Sequence, residues 1–160
     1  MPRLADPVVP AYPLLQLDKQ LCFALYAATN AVTRAYRRPL ARLGLTYPQY
    51  LAMLVLWQHG GQTVKGLADM LLLDSSTLTP LLKRLEAAGL IDRRRDSLDE
   101  RIVRITLTAA GSALQQAVAV VQQSIACQTR LPESDFVDLR SRLHTLVESM
   151  AAAELAVVDP

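Results

Sequence analysis

The residues of this 160-residue chain that can do chemistry fall into two groups, thiols and a hydroxyl-guanidinium set. Cys22 lies in Leu21-Cys22-Phe23-Ala24-Leu25-Tyr26, which places Tyr26 one helical turn beyond the thiol. A thiol attacks a peroxide only as the thiolate, and the first turn of a helix favours the anion. Apolar Leu21, Phe23 and Leu25 reward the tail of an organic peroxide, which hydrogen peroxide lacks. The alternative reading makes Cys22 a small buried hydrophobe, and Cys127, in an Ala/Val/Ile stretch, has a core reading of its own. The two cysteines form no CxxC and have no histidine at ligand spacing, so no zinc finger, metal site or cofactor is expected. His59 and His144 belong to no constellation.

The second group runs Ser75-Ser76-Thr77-Leu78-Thr79-Pro80-Leu81-Leu82-Lys83-Arg84. Hydroxyls at a helix N-terminus bond phosphates and base edges, and Lys83 and Arg84 add backbone charge farther along. A solvated face of an amphipathic helix accounts for the same pattern. Arg93, Arg94, Arg95, Arg101 and Arg104 then crowd a hairpin too small to need them for stability, with Asp92, Asp96, Asp99 and Glu100 cancelling part of the charge. Arg34, Arg37, Arg38 and Arg42 read as a solvated helix face or as phosphate contacts.

These groups need elements to position them. Leu17, Leu21, Leu25, Ala28, Val32 and Ala35 recur every three to four residues and predict one helix from Leu17 to about Arg37, with Pro39 to Leu43 a separate turn before a stop at Gly44. Thr46 and Gln49 form a capping box for a helix through His59. Thr63 caps a short helix carrying Leu67, Met70 and Leu71, and Asp74 or Ser75 caps another, which ends at Gly89. Two β-leaning runs follow, 90–94 and 101–107, with Val103, Ile105 and Leu107 on one face. Thr108 caps a helix to about Gln128, and beyond Pro132 a last helix carries Phe136, Leu139, Leu143, Leu146 and Met150. The pattern is mainly α with a small β-hairpin: a winged helix-turn-helix over about 46–108, with dimerisation helices over about 17–43 and 109–156, in one domain at 17–156. Residues 1–16, broken by Pro7, Pro10 and Pro13, read as a flexible arm and not as an export signal.

Composition narrows the class. Apolar residues are 51% and charged residues 20%, which supports a packed core, and a net charge of +2 excludes a wholesale polyelectrolyte interaction, so any DNA contact depends on where the charges lie. No membrane partner is expected, and two free thiols suit a reducing cytoplasm.

The run Leu81-Leu82-Lys83-Arg84-Leu85-Glu86-Ala87-Ala88-Gly89-Leu90-Ile91, followed by Asp99-Glu100-Arg101 and Thr106-Leu107-Thr108, resembles the MarR family of dimeric winged-helix repressors. The chain departs from that pattern at Gly66, inside the first helix of the motif. The resemblance implies that the helix from Ser75 enters the major groove of an inverted-repeat operator, with Ser75, Ser76, Thr77, Thr79, Lys83 and Arg84 facing double-stranded DNA. It also implies that Arg101, oriented by Asp99 and flanked by Arg94 and Arg95, reaches the minor groove. The segments 17–26 and 45–51, with Tyr36, are similar to the organic-hydroperoxide-sensing OhrR branch. In that branch the cysteine matching Cys22 is oxidised, tyrosines matching Tyr36 and Tyr47 bond its thiolate, and Cys127 matches a resolving cysteine. Tyr26 is a nearby fourth member. Tyr36 is 14 residues from Cys22, about 21 Å along a continuous helix, so only the Tyr36 of an antiparallel partner can reach the thiol.

The sequence therefore reads as a cytoplasmic homodimeric repressor, not an enzyme, that releases its operator after an organic hydroperoxide oxidises Cys22. Two rivals remain at this stage: a repressor of the same fold released by a small aromatic ligand, and a thiol peroxidase.

Overall fold

The structure is a computed structural model that describes residues 12, 15–96, 99 and 101–158. Most of the N-terminal arm and three positions at the wing tip, Glu100 among them, lie outside the described residues. The chain forms two compact units, Met1–Val121 and Gln122–Pro160. Among the described residues no helix is long and apolar enough to cross a membrane.

In the first unit a 3-10 turn at Leu17–Lys19 precedes α1, Leu21–Arg42. The helix expected from Leu17 thus begins four residues later, because Gln20 is extended (φ −88°, ψ 119°), a break that apolar spacing does not register. At the other end the separate turn expected at Pro39 is absent, and α1 runs through it. Proline forfeits one bond in the ladder, but Tyr36 and Leu40 on the same face are buried, and that burial offsets the loss. The helix stops at Gly44, whose φ of +73° favours glycine, and Leu45 N–H returns to the Leu40 carbonyl.

The Thr46 capping box forms as expected, with Thr46 N–H donating to Gln49 Oε1 at 2.8 Å, and opens α2, Tyr47–His59. Strand β1, Gln62–Thr63, leads into α3, Val64–Leu71, whose first turn is capped by Thr63 Oγ1 accepting from Gly66 N–H at 2.9 Å. Gly66 sits where a Cβ would crowd that Thr63 oxygen. The helix α4, Ser75–Ala87, has Asp74 at its N-cap position, but the carboxylate makes no capping bond; the Asp74 carbonyl accepts from Thr77 and Leu78 instead. At the far end Gly89 (φ +69°) turns the chain and Leu90 N–H donates to Leu85.

The hairpin is β2, Ile91–Arg95, with β3, Val103–Leu107, in a three-stranded antiparallel sheet of order β1-β3-β2. Sequence reading missed β1, since two residues show no periodicity. Its pairing of Gln62 with Ile105 ties the helix-turn-helix to the wing. Leu56, Leu67, Leu78, Leu82, Leu85, Ile91 and Ile105 are almost fully buried where these elements meet. Leu81, expected beside them, is only half-buried, and Met70 is exposed.

Helix α5, Ala109–Gln128, starts in the first unit. Thr108 Oγ1 donates to the Gly89 carbonyl and accepts from Gly111 N–H, and Trp57 Nε1 donates to the Gly111 carbonyl at 2.9 Å. The second unit holds the end of α5 and α6, Glu133–Val158, whose Val137, Leu139, Leu143, Val147 and Met150 are exposed.

Candidate functional site

Helix α4 projects the polar face that the sequence predicts. Ser75, Ser76, Thr77, Lys83 and Arg84 are exposed, while Leu78, Leu82 and Leu85 anchor the helix from behind. Thr79 differs in detail: its hydroxyl donates to the Ser75 carbonyl at 2.7 Å, so toward DNA it acts as an acceptor.

The wing arginines separate by environment. Arg101 is 95% exposed and its N–H donates to Asp99 Oδ1 at 3.0 Å, with the guanidinium 3.8 Å from the same oxygen. Asp99 thus shapes the backbone at the tip and leaves the Arg101 side chain extended into solvent. Arg104 pairs with Asp96, and directly opposite it in the register stands Arg94, which is exposed. Arg93 pairs with Glu86 of α4 at 3.3 Å, and its buried Nε has no hydrogen-bond partner among the described residues. A cleft of about 500 Å³ at this junction is lined by Lys65, Arg93 and Arg101 together with Thr63, Ser75 and Thr79. Lys65 was not singled out from sequence: one lysine in a short helix carries no pattern, and only the packing of α3 against the wing brings it to this cationic cleft.

Of the thiol-site residues, the fold brings Tyr36 and Tyr47 together and adds Tyr50, which lies in the segment 45–51 but was given no role from sequence. Ring centroids lie 5.3 Å apart for Tyr36–Tyr47, 5.2 Å for Tyr36–Tyr50 and 5.9 Å for Tyr47–Tyr50. Burial, and then the neighbouring Tyr36, push the Tyr47 phenol up from its ordinary value. Tyr50 is pushed much higher, by burial first and then by its hydroxyl's interaction with Tyr36. A phenol O–H can donate a hydrogen bond to a thiolate.

Cys22 is the second residue of α1 and is exposed, as are Leu21 (61%), Phe23 and Tyr26 (65%). The buried-hydrophobe reading therefore fails for Cys22 within the chain, and likewise for Cys127, exposed near the end of α5. Helix α1 is continuous from Cys22 to Tyr36, so its rise holds the thiol about 21 Å from its own tyrosine cluster.

A second cleft, of about 470 Å³, lies between α1 and the start of α2, lined by Asn30, Thr33, Arg34, Arg37, Leu45 and Tyr47 among others.

A helix-turn-helix with a cationic wing, its polar helix exposed and its apolar face anchored, defines a winged-helix DNA-binding protein. The MarR family matches residues 45–103. Across its length the chain is similar to the organic hydroperoxide resistance transcriptional regulator of Bacillus subtilis (strain 168), 44% identical over 136 residues, covering 85% of this chain and 92% of that one. It is also 60% identical over 99 residues to the HTH-type transcriptional regulator TtmR of Methylorubrum extorquens (strain PA1), covering 62% of this chain and 51% of that one. Among solved structures it resembles reduced AbfR bound to DNA (35% identity, TM-score 0.71, 86% of this chain and 96% of that one) and disulfide-formed AbfR (34%, TM-score 0.61, 90% and 95%). AbfR is a protein of Staphylococcus epidermidis. The chain belongs to the MarR family: it is a DNA-binding transcriptional regulator and not an enzyme.

Proposed function

We propose that this chain is a homodimeric repressor that holds an inverted-repeat operator while reduced and releases it when an organic hydroperoxide oxidises Cys22. The observation that carries the reading is the placement of Cys22, exposed in the first turn of α1 among exposed apolar side chains, on the helix that also carries Tyr36 into a cluster with the phenols of Tyr47 and Tyr50. In an antiparallel pair of α1 helices, Tyr36 and Tyr47 of one subunit donate to the Cys22 thiolate of the other, with Tyr26 beside it. The exposed apolar side chains of α1 and of α6 are surfaces such a dimer would cover.

The Cys22 sulfur attacks the terminal peroxide oxygen; the S–O bond forms, the O–O bond breaks, and the alkoxide leaves as an alcohol after taking a proton. The resulting sulfenic acid is attacked by the thiolate of Cys127 of the other subunit, giving a disulfide and water. Support comes from the hydroperoxide-resistance function in the name of the Bacillus subtilis regulator and from AbfR, solved both reduced on DNA and with a disulfide formed. On the DNA, Ser75, Ser76, Thr77 and Thr79 face the major groove, Lys83 and Arg84 the backbone, and Arg101, held by Asp99 and flanked by Arg94 and Arg95, the minor groove.

The test is operator selection from genomic DNA, then gel shifts of wild type and Cys22→Ser with and without cumene hydroperoxide. Release of wild type and retention of Cys22→Ser are expected; release of both shows that Cys22 is not the sensor.

A further inference from the structure

We infer that the cleft between the wing and the helix-turn-helix is a saddle for one DNA phosphate, with Lys65 as its main contact. The inference rests on the docking proposed above, in which α4 enters the major groove and Arg101 the adjacent minor groove. Neighbouring grooves of a duplex are separated by one sugar-phosphate strand. A protein that reaches into both straddles that strand, and the space between its two probes must accept a phosphate. In this fold that space is the cleft of about 500 Å³, whose lining comes from the first turns of α4 (Ser75, Thr79) and α3 (Val64, Lys65) and from the wing (Arg93, Arg101).

The lining has the chemistry such a position requires. Lys65 is exposed and, among the described residues, forms no ion pair, and no carboxylate lines the cleft. Thr63 Oγ1 accepts from Gly66 N–H, so its hydroxyl proton remains to be donated beside the lysine, whereas the Thr79 hydroxyl already donates to the Ser75 carbonyl. Arg93 has a different part. Its guanidinium bonds Glu86 of α4 at 3.3 Å and its side chain is only 18% exposed, so it is a positioning residue that ties β2 to α4 and sets the width of the saddle, while its charge offsets the Glu86 carboxylate. An ammonium on a flexible stem meets a phosphate as a point charge and reads no base edge. Lys65 therefore holds DNA without choosing its sequence.

The reduced full-length protein is titrated with its selected operator duplex and with an unrelated duplex over a range of potassium chloride, and then with operator duplexes in which one phosphate at a time is a neutral methylphosphonate. Lys65→Gln is expected to weaken binding about tenfold per subunit bound, by the same factor on both duplexes, and to reduce the salt slope by about one per subunit. Lys65→Arg, which keeps the charge, should restore most of the affinity. In the scan, one wild-type loss should fall at the phosphate between the bases protected by α4 and the minor-groove position that Arg101→Ala relaxes, and at that phosphate alone Lys65→Gln should lose nothing further. A smaller folded fraction weakens every duplex alike and cannot produce that pattern. Wild-type affinity and slope in Lys65→Gln, a loss confined to the operator, or losses that add at every phosphate overturn the saddle. If Arg101→Ala leaves the footprint unchanged while Lys65→Gln still cancels one phosphate, the two-groove docking fails and the Lys65 phosphate contact stands.

Discussion

At the scale of single residues, three environments make separable predictions. The phenols of Tyr47 and Tyr50 have folded values raised above 10.0, so the stability they contribute is intact below about pH 10 and is lost as pH rises through their folded values. The melting temperature should fall above about pH 10 alongside tyrosinate absorbance, and Tyr50→Phe should flatten that fall; a curve identical to wild type shows that Tyr50 does not drive it. In the proposed site, Tyr36→Phe and Tyr47→Phe remove a donor from the thiolate, so stopped-flow oxidation of Cys22 should slow in both, with unchanged rates excluding the hydrogen-bonded site. At the wing, among the described residues, Arg101 is held by Asp99 of its own turn and reaches into solvent. Arg101→Ala should weaken operator binding by roughly 1–3 kcal/mol and relax preference at A·T positions, whereas Lys83→Ala should mainly reduce the salt slope. Footprints and salt titrations read the difference.

At the scale of elements, the first unit is locked where α2, α4 and α5 meet. Gly111 N–H donates to the Thr108 hydroxyl, its carbonyl accepts from Trp57 Nε1, and a Cβ at this position would fall on the Leu90 carbonyl, part of the rigid backbone. Since Thr108 N–H itself donates to that carbonyl, Leu90 cannot yield without unpicking the start of α5. Gly111→Ala should therefore cost at least about 2 kcal/mol and lower the melting temperature, while leaving Cys22 as reactive in the folded protein. A variant as stable as wild type would show that α5 can shift relative to Leu90 without penalty. Leu72, which ends α3 with φ of 53°, is a second strained point, in the turn of the helix-turn-helix.

At the scale of the whole molecule, the proposed chemistry joins two chains. Disulfide geometry needs Cα atoms within about 7 Å, so closing Cys22 onto Cys127 of the partner subunit fixes the dimerisation helices and, through them, the spacing of the two α4 helices that must match one turn of DNA or a multiple. Peroxide-treated protein should run as a covalent dimer on a non-reducing gel and Cys127→Ser should not. Peptide mapping that finds the two cysteines joined within one chain removes the interchain route.

Much of this was legible in the residues themselves. Thr46 with Gln49, Thr63, Gly89 and Thr108 act within one or two turns of chain, and the apolar stripe of α4 repeats along a single element, so the helix-turn-helix and hairpin follow from local rules. Cys22 was legible as a candidate because its context is local too. Non-local contacts decided the rest. Whether α1 passes Pro39 depends on what buries Leu40; β1 exists because β3 offers it a partner; and Lys65 and Tyr50 acquire meaning only when separate elements pack side by side. Local sequence determines capping and periodicity through short-range bonds, whereas burial and the pairing of charges are properties of the space between elements, and that space exists only in the folded chain.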